Sequence, residues 1–145
     1  MDYNETIFSQ KAEKYLVCYN DKCELSNRCL RRKVANYVPA TRRIVESVNA
    51  VYVEKNGGKC DYFRPAEPVV MHKGLEHFYD NIPESMARAI RNKLILHFGN
   101  SNYYRYRNGS LPITAEVCQY IETVCRQNGW TGDLDFDGEA TEYNW

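Results

Sequence analysis

The stretch IPESMARAIRNKLILHFG, residues 82–99, decides the fold class because it carries a clear helical pattern. Pro83 suits the first position of a helix, and Gly99 suits its end. Between them, apolar residues recur at every fourth position and so share one helix face: Met86, Ile90, Leu94 and Phe98. A second pattern of this kind, ITAEVCQYIETVCRQNGW at residues 113–130, has Thr114 at a capping position. The sequence therefore predicts a mostly helical protein.

The first half adds a shorter helix and a β-rich segment, which gives an α+β class. Ser26 is predicted to cap the shorter helix. RIVESVNAVYVEKNGGK, residues 43–59, is rich in β-branched residues and ends in an Asn-Gly-Gly turn, which favours a strand, although a helix is also compatible. The prolines of RPAEPVVM, residues 64–71, indicate a connector. We expect residues 1–68 to form a cysteine-rich metal-binding region and residues 69–145 a helical region, packed together as one structural domain.

Composition narrows the class of protein. The 19 basic and 19 acidic residues cancel, so no net charge draws the chain to nucleic acid or to an anionic membrane. With 26% charged and 43% hydrophobic residues, the chain is globular rather than disordered. Its start is acidic where a signal peptide is basic, and no stretch approaches the roughly 18 apolar residues of a membrane helix. We therefore expect a cytoplasmic protein without a membrane partner.

Three of the six cysteines are crowded into CYNDKCELSNRCLRRK, residues 18–33. In a cytoplasmic protein such thiols are metal ligands more often than disulfides. Zinc and iron-sulfur clusters both take four thiolates, and a fourth cysteine follows the glycine turn. The predicted metal ligands are Cys18, Cys23, Cys29 and Cys60. Their spacing does not choose between Zn²⁺ and a [4Fe-4S] cluster, and the alternative is that these cysteines are packed as small apolar residues.

The charges around the cysteines fit a thiolate site. If Ser26 caps the helix, Cys29 lies at the third helical position, where free backbone N–H groups favour a thiolate. Five basic residues near the cysteines in sequence could offset the negative charge: Arg28, Arg31, Arg32, Lys33 and Lys59. The other two cysteines, Cys118 and Cys125, are predicted to be core residues of the last helix.

A family resemblance supports this grouping. The cysteines are separated by four and then five residues and are followed by Leu-Arg; CDYFR, KGLEHFYDNIP, LILHFGNSNYYRYRNGSLPIT and QNGWTGDLDFDG come later. This combination, which spans about residues 15–137, resembles a family of uncharacterised proteins, a domain of unknown function, from gut anaerobic bacteria. The resemblance implies that the four candidate cysteines belong together, and it implies no activity.

The segment FGNSNYYRYRNGSLPITAEVCQYI, residues 98–121, resembles the helix-turn-helix of phage-repressor-type regulators. The residues that could contact DNA are Ser101, as the cap of a recognition helix, with Tyr103, Tyr104, Arg105 and Arg107. The predicted recognition helix is about two residues shorter than that motif requires. Asn108-Gly109 equally favours a hairpin, which would suit a winged arrangement. The other interpretation is a packing element whose arginines are solvated.

The remaining motifs point to neither a calcium site nor a known catalytic site. DLDFDG, residues 133–138, repeats the opening of a calcium loop, but Asn144 stands where the closing glutamate is needed, so we expect a solvated, frayed terminus. The sequence contains no phosphate-binding loop, nucleophile elbow or His-Glu-x-x-His helix. We expect a non-catalytic, metal-stabilised binding or adaptor module. The alternative is a DNA-binding transcriptional regulator with a zinc or iron-sulfur site, so the expected partner is a protein or DNA.

Overall fold

The computed structural model describes residues 2–145, in which six α-helices and two β-strands form. In chain order they are α1 (Tyr3–Lys11), α2 (Leu30–Ala35), α3 (Ala50–Lys55), β1 (Val69–Lys73), α4 (Glu84–Phe98), α5 (Asn100–Arg107), α6 (Ala115–Gln127) and β2 (Gly138–Glu142). A short 3₁₀ helix, Ser26–Arg28, precedes α2. The predicted α+β, mostly helical class is confirmed. In residues 2–145 no helix has the length and apolar character needed to cross a membrane.

The chain divides into two compact units, with the boundary between Pro68 and Val69. The first unit comprises residues 2–68 together with the last three residues, 143–145, and the second comprises residues 69–142. Each unit has its own hydrophobic core. The first core consists of Phe8, Ala12, Val17, Leu30, Val34, Ala35 and Ala66. The second consists of Leu75, Phe78, Ile82, Ala87, Ile90, Leu94, Tyr103, Ile113, Ile121, Val124 and Cys125.

In the second unit, α4 and α6 form where the sequence predicts them. Pro83 precedes the first residue of α4, and Gly99 ends the helix with a φ of 82° that suits a residue without a Cβ. The Thr114 side chain accepts a hydrogen bond from the Val117 backbone N–H at 3.3 Å and so caps α6. Because α4 packs against both α5 and α6, these helices enclose the second core.

Of the two alternatives for residues 100–109, the hairpin is wrong, because residues 100–107 form helix α5. The turn into α5 is made at Gly99, which is also its N-cap, so the prediction that Ser101 caps this helix is wrong as well. The positive φ of Gly99 lets the chain pass from α4 into α5 without an intervening loop. Helical spacing then directs Tyr103 into the core.

The acidic terminus is ordered, so the expectation of a frayed segment is wrong. Strand β2 pairs antiparallel with β1, in a register that runs from Val69 opposite Glu142 to Lys73 opposite Gly138. Just before β2, the Asp137 carboxylate accepts hydrogen bonds from the backbone N–H groups of Glu76 at 2.8 Å and His77 at 2.9 Å. The backbone of β1 and these two bonds hold a segment that is too polar to reveal its pairing by hydrophobic alternation.

Two local predictions in the first unit are also wrong. Residues 50–55 form helix α3, capped by the Asn49 side chain, which accepts from the Val51 N–H at 3.0 Å, instead of a strand. Ser26 begins a 3₁₀ helix rather than capping α2, and the N-cap of α2 is Cys29. Cys29 is extended because it pairs antiparallel with Pro65, a contact that interrupts the helix at this point.

Candidate metal centre

The four cysteines predicted as ligands line one small cavity in the first unit: Cys18, Cys23, Cys29 and Cys60. Each of them is half-buried. The cavity has a volume of about 20 Å³. One water molecule needs about 10–15 Å³ of such space, so the cavity holds little more than one small particle.

Backbone hydrogen bonds bring three of the cysteine-bearing segments together. The Leu30 N–H donates to the Arg64 carbonyl at 2.7 Å, which ties the start of α2 to the segment after Cys60. The Cys18 N–H donates to the Arg31 carbonyl at 3.1 Å, which ties the first segment to α2. These bonds fix the backbone around the cavity and leave the thiol groups free to rotate about their side-chain torsions.

Arg31 is a buried cation at the edge of this cavity. Arg31 lines the cavity, and only 9% of its surface is exposed to solvent. Its guanidinium donates from Nε to the Tyr62 carbonyl at 2.6 Å and from Nη1 to the Leu16 carbonyl at 2.8 Å. The guanidinium carbon also lies 4.7 Å from the centre of the Tyr15 ring. Within residues 2–145, Arg31 forms no ion pair with a carboxylate.

The thiols affect one another electrostatically. Burial raises the pKa of the Cys18 thiol, and a hydrogen bond from the Asn20 backbone lowers it. The neighbouring thiols of Cys29, Cys60 and Cys23 raise the Cys18 pKa further, which places all three within electrostatic reach of Cys18. Because like charges resist ionising together, four thiolates in this cavity need a bound cation.

The four sulfur atoms are not arranged as a set of metal ligands in this structure. In the part of the chain that the structure describes, no group of three or more His, Cys, Asp or Glu side chains stands in metal-binding geometry. The fold brings the four cysteines around one cavity, but their role as metal ligands stays a prediction.

In the sequence, Arg31 is one of five basic residues near the cysteines. A signal was nevertheless present in α2. Leu30 and Val34 form an apolar pair four residues apart, and Arg31 and Ala35 occupy the adjacent pair of positions on the same face. All four are buried. An arginine within such a face is expected to be buried and therefore to have specific partners.

The residues predicted to contact DNA are placed in two different environments. Tyr103 is fully buried, and its hydroxyl lies 2.9 Å from the Tyr79 hydroxyl, so it belongs to the core of the second unit. The other four are exposed on α5: Ser101, Tyr104, Arg105 and Arg107. Neither of these arginines forms an ion pair within residues 2–145. Contact with DNA stays a prediction for these four residues.

Comparison with protein families gives a match over residues 1–145 to the family described as "Family of unknown function (DUF6078)". The chain belongs to this family. No curated protein and no solved structure matches it.

Proposed function

We propose that this member of a family of unknown function is a non-catalytic binding module whose first unit is stabilised by one zinc ion. The observation that carries the proposal is the convergence on one cavity of about 20 Å³ of three cysteines from residues 18–29 and a fourth, Cys60, from a distant turn. A zinc ion with four protein thiolates has no open position for substrate or water. A site of this kind stabilises the fold and leaves function to the surface of the protein.

The size of the cavity favours a single ion over an iron-sulfur cluster. A [4Fe-4S] cluster contains eight atoms in addition to its four cysteine sulfurs, and it needs several times the room of one ion. Zinc needs only that four sulfurs approach a common centre to about 2.3 Å. The proposal requires that the four cysteine side chains rotate inward about their torsions to reach this distance.

The proposed site explains the charges and links metal binding to folding. Thiolates that repel one another are stabilised together by a divalent cation. Because the ligands come from segments that meet only in the folded first unit, binding free energy contributes directly to folding free energy. We therefore expect the first unit to lose stability when the metal is removed.

The test compares zinc content and thermal unfolding of the full chain with those of two cysteine variants, all purified in reducing buffer without chelators. The parent chain should contain one zinc ion. Cys23→Ser should lose zinc and unfold at a lower temperature, because three ligands bind zinc less tightly than four. Cys118→Ser is the matched control, because Cys118 is also half-buried but lies in the second unit. A Cys23→Ser chain that keeps its zinc and melts like the parent contradicts the proposal. A parent chain that contains iron and acid-labile sulfide instead of zinc also contradicts it, because the site would then hold an iron-sulfur cluster.

A second candidate function, DNA binding by a transcriptional regulator, is favoured by the exposed face of α5. This helix follows α4 after Gly99 and exposes Arg105 and Arg107 to solvent. The test is binding to duplex DNA at low salt, where contacts to phosphates are strongest. Binding should weaken with salt and be lost in the Arg105→Ala, Arg107→Ala double variant. The control removes the same charge from exposed positions on α4, Arg88→Ala with Lys93→Ala. An absence of binding at low salt refutes this candidate.

A further inference from the structure

We infer that Arg31 is the positioning residue of the proposed zinc site, and that it supplies the buried positive charge that a four-thiolate site requires. This inference rests on the proposed function. Arg31 lines the cysteine cavity without being a candidate ligand. Its side chain and its backbone both bind the segments that carry the cysteines.

The hydrogen bonds of Arg31 join the cysteine-bearing segments to each other. The guanidinium binds the carbonyl of Leu16, two residues before Cys18, and the carbonyl of Tyr62, two residues after Cys60. Its own carbonyl accepts from the Cys18 N–H. Arg31 thus connects three segments that must keep their relative positions for four sulfurs to meet. The planar guanidinium suits this role because it donates in two fixed directions.

The charge of Arg31 lacks a carboxylate partner. A buried guanidinium without a counter-ion is unfavourable, and within residues 2–145 Arg31 makes no ion pair. One zinc ion bound by four thiolates carries two net negative charges, which would compensate the guanidinium. Arg32, the next residue, also lines the cavity, but its guanidinium already has a carboxylate partner in Asp21.

The experiment measures zinc affinity of the full chain by competition with a chromophoric chelator, in reducing buffer at fixed pH. Arg31→Gln removes the charge and keeps a hydrogen-bond donor. Arg31→Lys keeps the charge and loses the two fixed donor directions. Arg32→Gln is the control, because it removes the same charge from an arginine that Asp21 pairs. Circular dichroism with and without zinc shows whether each variant folds.

Arg31→Gln should bind zinc about 10–100-fold more weakly than the parent, as is typical when a residue that orients metal ligands is lost. Arg32→Gln should stay within about fivefold, because a partly exposed ion pair contributes little. Arg31→Lys should fall between these two variants, since it retains the charge without the geometry. A folded Arg31→Gln chain that binds zinc weakly separates this role from an effect on folding alone.

Three results overturn the role of Arg31 while leaving the zinc site in place: Arg31→Gln within fivefold of the parent, Arg32→Gln as weak as Arg31→Gln, or Arg31→Lys no tighter than Arg31→Gln. If Arg31→Gln does not fold even with zinc, the comparison passes to Arg31→Lys. Equal zinc affinities of Arg31→Lys and Arg32→Gln then overturn the role of Arg31. A parent chain that binds no zinc overturns both this inference and the proposed function.

Discussion

Replacing Tyr103 with phenylalanine is expected to lower the free energy of unfolding of the second unit by about 1–3 kcal/mol. The Tyr103 side chain is fully buried, and its hydroxyl lies 2.9 Å from that of Tyr79. Burial and this hydrogen bond raise the pKa of the Tyr79 hydroxyl. Phenylalanine keeps the packing of the ring and removes only the oxygen. The loss in stability is therefore the cost of leaving the Tyr79 hydroxyl without its partner.

A double-mutant cycle isolates this contact. Tyr79→Phe should also destabilise the second unit, and the double variant should lose less than the sum of the two single losses. The difference is expected to be about 0.5–3 kcal/mol, the range for residues in direct contact. Once one hydroxyl is absent, removal of the other eliminates an unpaired polar group and costs little more. Tyr104→Phe is the control, because Tyr104 is 48% exposed and should change stability by less than about 0.5 kcal/mol.

The two tryptophans allow each unit to be followed separately. Trp130 packs against the second core and Trp145 against the first. Urea unfolding is therefore measured by Trp130 fluorescence in a Trp145→Phe background. If the stability losses of Tyr103→Phe and Tyr79→Phe simply add in the double variant, the two hydroxyls do not interact. An unchanged Tyr103→Phe midpoint would contradict the expected cost of the lost hydroxyl contact.

Two further predictions concern the second unit. Asp137→Ala should cost about 1–3 kcal/mol, because its carboxylate accepts from the backbone N–H groups of Glu76 and His77; an unchanged Trp130 urea midpoint would contradict this. Burial raises the pKa of the Cys125 thiol to about 11, so iodoacetamide at about pH 8 should modify Cys118 before Cys125 in the folded chain. The folded state also holds the Cys125 proton more tightly than the unfolded state, so the protonated thiol contributes to the free energy of unfolding. This contribution is fully present below about pH 9 and is lost as the pH rises to about 11, and urea midpoints across that range would show the loss.

Helices α4 and α6 could be predicted from sequence because their signals are local. Ile90 and Leu94 are four residues apart in one helix, which ends at Gly99, and both side chains are fully buried. Thr114 caps α6 through a bond to a residue three positions away. Neighbouring residues determine each of these features, and no knowledge of distant contacts is needed.

The errors arose where distant residues decide the local structure. Cys29 is extended because Pro65 pairs with it, and no pattern around Ser26 contains that information. Strand β2 forms because β1, more than 60 residues earlier, supplies its partner. For α3 the error has another cause. The β-branched residues of its sequence favour a strand, but Asn49 caps a helix and only Val53 of α3 is buried.

The candidate site was predictable as a set of residue types and not as a geometry. The density of cysteines in residues 18–33 and the glycine turn before Cys60 were enough to group the four, and the structure places all of them on one cavity. The importance of Arg31 depends on carbonyl groups 15 and 31 residues away in the chain. The spacing in α2 indicates that Arg31 is buried, but its distant partners leave no spacing pattern.

The division into two units gives a physical reason for the cysteines to be concentrated in the first. A single domain of 145 residues would not need a metal to be stable. The two units are similar in length, about 70 and 74 residues, but helices α2 and α3 of the first unit have only six residues each and long loops connect them. A single core in a unit of this length supplies about 3–5 kcal/mol, and small scaffolds commonly add a metal or disulfides. The second unit contains helices of 15 and 13 residues around a larger core, and its two cysteines lie on one helix. A zinc ion in the first unit would compensate for the smaller core there.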